Sequence, residues 1–481
     1  MGITYRQING INGPLIFIAH PHLVQNEEMV TIKDTDGNYR LGRVLDISKE
    51  VVTIEVFAGT QGLAREGVEV EFSESTFKIG VSMDMLGRIF NGLGKPIDYY
   101  EDTNEPKPAI IPEMELDVNG SPINPWARAY PRNVIQTGMS SIDGLNSLIR
   151  GQKLPIFTGY GLPHNKLAAQ IVRQARVTSG EPFVVIFVGI GILQDEAIFF
   201  QNAFREAGNI QNVVSFLNLA ADPTIERILV PRIALTVAEY FAFEKDMHVL
   251  VVMTDVTNYA EAVRELSSAK GEVPSRKGFP GYLYSDFASI YERAGQIKGK
   301  KGSITQVPII SMPNDDITHP IPDLTGYITE GQLVLSRAMH KRNIYPPMEV
   351  LSSLSRLMKE GIGEGRTRDD HGDVSSQLYA FYSEAMDVRE LESIIGTESL
   401  TPADQNLLVF ANDFEQRFLN QHYEENRNIS ETLDLAWDLF RKFPKSQLIR
   451  ISEKLLEKYY SSPEAQRNAR PLEDAVEEDN S

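Results

Sequence analysis

From about residue 155 to residue 310 the sequence alternates short apolar runs with amphipathic stretches, and this alternation restricts the fold more than any other feature. Phe183-Val-Val-Ile-Phe-Val188 carries no polar side chain at any position. A strand with one wet face alternates polar and apolar residues. An unbroken apolar strand is buried on both faces, as in a parallel sheet covered by helices. Pro155–Thr158, Val213–Asn218 and Val249–Met253 read as companion strands, and Ser303–Ile310 as a further one. Between them the apolar residues take helical spacing. Leu167, Ala168, Ile171, Val172 and Ala175 mark one face of a helix over Asn165–Val177. Helices over Asp195–Ala207, Pro223–Phe243 and Tyr259–Ala269 continue the pattern. Repeated βα units specify a doubly wound parallel sheet with helices on both faces.

The flanking regions differ in kind. Residues 1–75 are strand-dense: Val51–Phe57 is rich in β-branched residues, and Val68–Phe72 alternates with period two. Asp36-Gly37, between Thr31-Ile-Lys33 and Tyr39-Arg-Leu41, is a hairpin signal. So many short strands in so little chain predict a small closed barrel. A Gly/Pro-rich connector over 76–130 joins the barrel to the α/β region, which runs to residue 350 with the connector included. After 350 the strand signal stops. Glu384–Ile395, Pro402–Gln421, Ile429–Phe440 and Ser446–Tyr460 read as helices, giving a C-terminal helical bundle over 351–462. Residues 463–481 form an acidic tail, expected to be disordered, whose last stretch, Leu472–Ser481, carries five carboxylates and no base. At roughly 150 residues per domain, three domains also suit the length of 481.

Charge and cysteine content narrow the function. With 47 basic and 66 acidic residues the chain carries a net charge of −19, a field that repels nucleic-acid backbones and anionic lipid surfaces. The absence of cysteine excludes disulfides, a thiolate nucleophile and Cys-ligated zinc, and suits a reducing cytoplasm. The longest uncharged apolar run, Pro182–Gln194, falls short of the roughly 20 residues that span a bilayer. Met1–Gln7 lacks the apolar stretch of a signal peptide. These features predict a soluble, intracellular protein that meets a membrane only through partners.

Ligands of open α/β sheets bind at the carboxyl ends of the strands. The first strand-to-helix turn, Thr158-Gly-Tyr-Gly-Leu-Pro-His-Asn-Lys-Leu167, stands where a phosphate-binding P-loop, G-x-x-x-x-G-K-[ST], would stand. With Gly159 as the first glycine and Gly161 inside the loop, His164 replaces the second glycine, Asn165 the lysine and Lys166 the hydroxyl residue. His164 adds a side chain where backbone must approach phosphate. Asn165 removes the cation for the β- and γ-phosphates, and Lys166 removes the Mg²⁺-binding hydroxyl. Sliding the register to make Lys166 the lysine puts Tyr160 and Asn165 on the glycine positions. The next strand ends in Gly189-Ile-Gly-Ile-Leu193, apolar where a general base would be useful. Thr254-Asp255 follows a third, and Asp255 reads as a loop or capping residue or as a remaining Mg²⁺ ligand. The eight histidines form no metal-binding spacing, and His20 and His22, either side of Pro21, read as part of a turn. No G-x-S-x-G hydrolase signature occurs. The core reads as P-loop-NTPase-like (RecA-like), with its catalytic groups removed.

These residues carry a specific likeness. The domain order, Leu86–Asp98, the loop Gly161-Leu-Pro-His-Asn165 and the stretch Met312-Pro-Asn-Asp-Asp-Ile-Thr-His-Pro320, continuing to Gln332, resemble the B subunits of V/A-type rotary ATPases. The resemblance covers all but the acidic tail. It implies a non-catalytic, regulatory subunit in an alternating hexamer of three catalytic A and three B subunits around central shaft subunits. Peripheral stalk subunits would meet the N-terminal region. ATP or ADP with Mg would sit at the interface, held mainly by A, and ion transport (H⁺ or Na⁺) would be coupled to hydrolysis or synthesis. Gly189–Leu193 resembles the catalytic family's GxGER with Ile192 at the glutamate, and Thr254 takes the Mg²⁺-aspartate position. Val350-Leu-Ser-Ser-Leu-Ser-Arg356-Leu357 is similar to the segment bearing the family's trans-acting arginine, which makes Arg356 the arginine finger.

Two further assignments follow from the resemblance. Tyr327 falls at the interfacial nucleotide, though by itself it reads as a packing tyrosine. Gly396–Asp404 is similar to the inter-helix turn that faces the shaft. A stand-alone hexameric ATPase of the flagellar or secretion-export type, or a Rho-like translocase, needs the intact loop and glutamate that this chain lacks. An interaction scaffold would leave Ser353-Leu-Ser-Arg356 unexplained.

Overall fold

The computed structural model describes residues 4–19, 24–100, 105–177, 180–206 and 210–460. His20, His22 and the acidic tail lie outside the described residues. The chain divides into two compact units: the described parts of Met1–Tyr130, Arg150–Arg173 and Ser179–Glu330, and those of Pro131–Ile149, Gln174–Thr178 and Gly331–Ser481.

The first unit opens with the barrel. Strands Thr4–Gln7, Gly10–Asn12, Leu15–Ala19, Glu28–Lys33, Tyr39–Ile47, Val51–Val56 and Glu66–Thr76 form one antiparallel sheet. Its two ends are the two halves of one segment. Thr4–Gln7 pairs with Glu66–Thr76, and Gly10–Asn12 pairs with Leu15–Ala19. At the changeover the Ile8 amide donates to Arg65 O (2.9 Å) and the Asn9 amide to Phe17 O (2.7 Å), so the bent segment closes the ring. Ile16, Ile32, Val52, Ile54 and Val70 fill the interior. The Asp36-Gly37 hairpin forms where expected. Gly37 sits at φ +85°, and Asp34 Oδ1 accepts the Asp36 and Asn38 amides at 3.0 and 2.8 Å.

The α/β part follows in the same unit. Strands Ile156–Gly159, Ser303–Met312, His248–Thr254, Phe183–Ile192 and Val213–Leu219 lie side by side in that order, all parallel. The connector is more than a linker. Its Ile89–Asn91 adds a parallel edge beside Val213–Leu219, and Lys78–Val81 pairs antiparallel with Met114–Asp117. Three-residue strands are too short to show periodicity. The helices Gln194–Glu206, Thr224–Glu239 and Val256–Lys270 fall where the pattern places them, the second running on into a π-helical turn, Tyr240–Glu244. The helix expected over 165–177 spans His164–Gln174 instead. Arg176 and Val177 turn extended to pair with Gln136 and Ile135, a ladder that outweighs a weak helical end.

The second unit is mainly helical. His371–Ile395 begins well before the expected Glu384, and Pro402–Asp413 continues as a π-helical turn, Phe414–Leu419. Ile429–Phe440 matches its expected span. Capping boxes, Thr401 with Asp404 and Asn428 with Glu431, satisfy the first amides of two of these helices. Val374, Leu378, Phe381, Phe410, Phe414 and Trp437 make the core. The expected helix 446–460 is broken into Lys445–Gln447, Glu453–Leu455 and the π-helical Leu456–Tyr460. Gln377 Oε1 takes the Arg450 amide (2.9 Å) and Asp373 the Ser452 amide (3.0 Å), drawing those donors out of a helical ladder. No helix among the described residues is long and apolar enough to cross a membrane.

Candidate functional site

The turn after Ile156–Gly159 has the placement of a P-loop and other internal wiring. Gly159 is buried at the strand end, and Gly161 turns the chain at φ +80° with open space around it. The His164 amide, which a P-loop would aim at phosphate, donates to Leu162 O (2.8 Å), and His164 Nδ1 donates to the same carbonyl at 3.0 Å. Asn165 Nδ2 donates to Glu196 Oε1 (2.7 Å), while Glu196 Oε2 accepts the Leu193 amide (2.8 Å). A carboxylate thus stands beside the position where a lysine would meet phosphate. Lys166 is exposed at the first helical turn. The Tyr160 phenol is pushed above its ordinary value by partial burial and by the Asp255 and Glu261 carboxylates. Three carboxylates, Glu196, Asp255 and Glu261, thus act on this loop, and each opposes a polyphosphate there.

The other strand ends agree. Ile192 is buried with Gly189 close against it, a Cβ on Gly189 lying 2.6 Å from Ile192 Cδ1, and Gly191 meets Arg227, whose Nε would lie 2.8 Å from a Cβ there. Asn218 Oδ1 accepts the Gly191 amide (2.9 Å), and Asn258 Nδ2 donates to Ile190 O (2.9 Å), so the turn is braced by amides. Asp255 is the N-cap of Val256–Lys270. Its Oδ1 accepts the amides of Thr257 (2.9 Å) and Ser311 (3.1 Å), which favours the capping reading. Thr254 is buried beside it. Among the described residues no three acidic or histidine side chains converge as metal ligands.

The stretch from Met312 to Pro320 is a pinned loop. Asn314 and Asp315 take positive φ, and Asp316 accepts the Thr318 amide (2.9 Å) and hydroxyl (2.6 Å) and pairs with Lys277 (3.1 Å). These donors pull its carboxyl down to about 2. The loop leads into helix Pro320–Ile328, on which Tyr327 is 73% exposed, so it is not a packing tyrosine within this chain.

Arg356 belongs to the second unit. It is exposed and directly follows the two-residue strand Leu354–Ser355, which pairs antiparallel with Gly331–Val334. Ser355 points inward while Arg356 points out, as neighbouring residues of an extended chain must.

Sequence reasoning passed over Glu196, which sets the character of the loop. Its signal was available: an acidic residue in the first turn of a helix, positioned to reach back to a preceding amide. A cavity of about 910 Å³ lies elsewhere in the first unit, between Asn12–Pro14 and helix Val256–Lys270. Its arginines are already engaged, Arg227 with Asn218 and Ala220 O, and Arg264 with Glu261 and the Phe279 ring.

Comparison with known proteins fits this arrangement. Residues 8–74 match the ATP synthase alpha/beta family beta-barrel domain, 138–355 that family's nucleotide-binding domain, and 360–460 the C-terminal domain of V and A type ATP synthase. The V-type ATP synthase beta chain of Halothermothrix orenii is 58% identical over 457 residues, covering 95% of this chain and 97% of that one. The chain belongs to the V/A-type ATP synthase beta-chain (B-subunit) family. A solved member of the wider ATP synthase group, described as a unique ATP synthase subunit NeqB from Nanoarcheaum equitans, superposes with a TM-score of 0.71. It is 39% identical and covers 90% of this chain and 100% of its own. For a beta chain of this family, barrel, nucleotide-binding-type core and helical end are the expected architecture, and the altered loop lies inside the nucleotide-binding match.

Proposed function

We propose that this beta chain is the non-catalytic, regulatory subunit of a rotary ATPase, forming an alternating hexamer of three A and three B subunits. In it Arg356 reaches across the interface to the γ-phosphate of ATP that, with Mg, is held mainly by the A subunit. A guanidinium suits the task, being always charged and able to fork onto two phosphate oxygens. It stabilises charge that develops in the transition state, and so couples hydrolysis or synthesis of ATP to transport of H⁺ or Na⁺ by the whole assembly.

The observation that carries this reading is the Asn165–Glu196 bond at the lysine position of a loop otherwise placed to bind phosphate. A chain that closes its own site in this way depends on a neighbour for nucleotide chemistry. Exposure of Tyr327 and Arg356 supports the same division of labour, with Tyr327 against the interfacial nucleotide. The turn Gly396–Asp404, next to the 76% exposed Ile394, faces the central shaft subunits. Peripheral stalk subunits take the N-terminal region, and the subunit works in the cytoplasm, reaching the membrane only through these partners.

The test is ATP hydrolysis by the isolated chain and by the complex reconstituted with a catalytic A subunit. The isolated chain should be inactive, and Arg356→Ala should slow the complex by about 10³–10⁵-fold, the range for arginine fingers. Strong turnover by the isolated chain overturns the non-catalytic reading. A near-normal Arg356→Ala complex overturns the finger.

A further inference from the structure

An exposed guanidinium acts at a distance only if its base is fixed, and the second unit contains a mount for Arg356. The residue before it, Ser355, is 6% exposed, and its Oγ donates to Ser147 O at 2.9 Å. Ser147 is fully buried, and its own hydroxyl donates to Asp143 O at 2.6 Å. The Asp143 carboxylate in turn accepts the amides of Thr137 (2.9 Å) and Gly138 (2.8 Å) and the Thr137 hydroxyl (2.8 Å). A line of buried hydrogen bonds therefore runs from the turn at Thr137 to the residue beside the arginine.

The other side of the segment is held separately. Ser353 Oγ donates to Glu349 O (2.6 Å) and accepts the Val334 amide (3.0 Å), closing the loop that precedes the two-residue strand. Beyond Arg356, Met358 is buried, and Gly361 lies so close to Ile149 that a Cβ there would come within 2.3 Å of its Cδ1.

We infer that Ser355 is a positioning residue: its buried hydrogen bond to Ser147 O fixes the backbone from which Arg356 extends, and so sets where the guanidinium is delivered. The inference rests on the proposed role of Arg356. A hydroxyl is suited to the place because it donates to a buried carbonyl, the Ser147 O. Alanine keeps the strand pairing and removes the tie. Threonine keeps the tie.

The experiment is a double-mutant cycle on ATP hydrolysis by the complex reconstituted with the A subunit. Ser355→Ala should lower kcat by about tenfold with KM within about twofold, less than the roughly 10²-fold that a 1 Å misplacement can cost. Ser355→Thr should restore most of that loss. In an Arg356→Ala background, Ser355→Ala should cost nothing further, because a mount without its arginine has no work. Equal losses in both backgrounds, or an unchanged kcat in Ser355→Ala, overturn the positioning role while leaving the finger intact. A normal rate for Arg356→Ala alone overturns the finger and the mount together. Far-UV circular dichroism and the yield of assembled complex report folding, and assembly lost in Ser355→Ala but kept in Ser355→Thr with unchanged kcat per complex also counts against the proposal.

Discussion

Glu415 has its carboxylate almost wholly buried in the helical unit, with Arg342 and Arg389 each 2.6 Å away and the Tyr382 hydroxyl at 2.9 Å. Burial alone would raise its pKa, but the hydrogen bonds and charges of Arg389 and Arg342 outweigh it and hold the carboxyl below its ordinary value. The ion pair is therefore fully present above the usual carboxylate range and is lost as pH falls through the lowered folded value. Glu415→Ala should destabilise the chain by about 2–3 kcal/mol. That is less than the 3–5 for breaking a fully buried pair, because Arg342 reaches solvent. Urea unfolding at pH 7 checks it, and a loss under about 0.5 kcal/mol would show the pair to be ornamental. Nothing in the sequence announces Glu415, since its partners lie far off along the chain and are brought together by helix packing. The altered loop is different. His164, Asn165 and Lys166 were legible because phosphate binding is a local motif with a fixed spacing. Arg356 lies between these cases: only resemblance distinguishes it from the other arginines, and Ser355 becomes meaningful only once the contact with Ser147 is seen.

At the scale of elements, Gly302 shows how closely one segment can meet another. It lies between the π-helical turn Tyr240–Glu244 and strand Ser303–Met312, and a Cβ there would lie 1.9 Å from Ala242 O and 2.6 Å from Met247 O. Both obstacles are backbone and cannot swing aside. Gly302→Ala should therefore cost at least about 3 kcal/mol, the upper end for overpacking. A thermal unfolding midpoint within about 1 °C of the unsubstituted chain would refute that, since 1 kcal/mol moves midpoints by about 2–4 °C in domains of 150–250 residues. The central strands were readable because each carries its own burial pattern. Ile89–Asn91 was not, being too short to have one. Helix ends were least legible: Arg176–Val177 and the 446–460 region are decided by partners remote in sequence.

Across the whole molecule, buried ionisable groups can oppose one another in ways no single residue reveals. His371 donates from Nε2 to Gly144 O (3.2 Å), and burial pulls its pKa down to about 4. Burial pushes Asp143 up to about 6, against the donors from Thr137 and Gly138. Unfolded, these groups titrate near about 6.5 and 3.9. Between about pH 4 and 6 the unfolded chain binds the extra proton at His371, so stability rises with pH, whereas the folded chain binds it at Asp143, so stability falls with pH. The two slopes largely cancel. Asp143→Asn removes one of them, and the variant should lose up to about 3 kcal/mol more than the unsubstituted chain on acidification from pH 6.5 to 4. Denaturant titrations at several pH values read the slope directly, and parallel curves would sink the argument.

The bent first strand of the barrel, bonded through Ile8 to one end of the sheet and through Asn9 to the other, works like the fastener of a bracelet. A fastened bracelet offers little loose end. The five strands from Leu15–Ala19 to Glu66–Thr76 have neighbours on both of their sides, and the two halves of the first segment are paired on one side each and only four and three residues long, so β-augmentation by a foreign chain finds little template here. A protein that recognises this domain therefore does so mainly through side chains, whose identity can vary from one assembly to another while the main-chain ring stays the same.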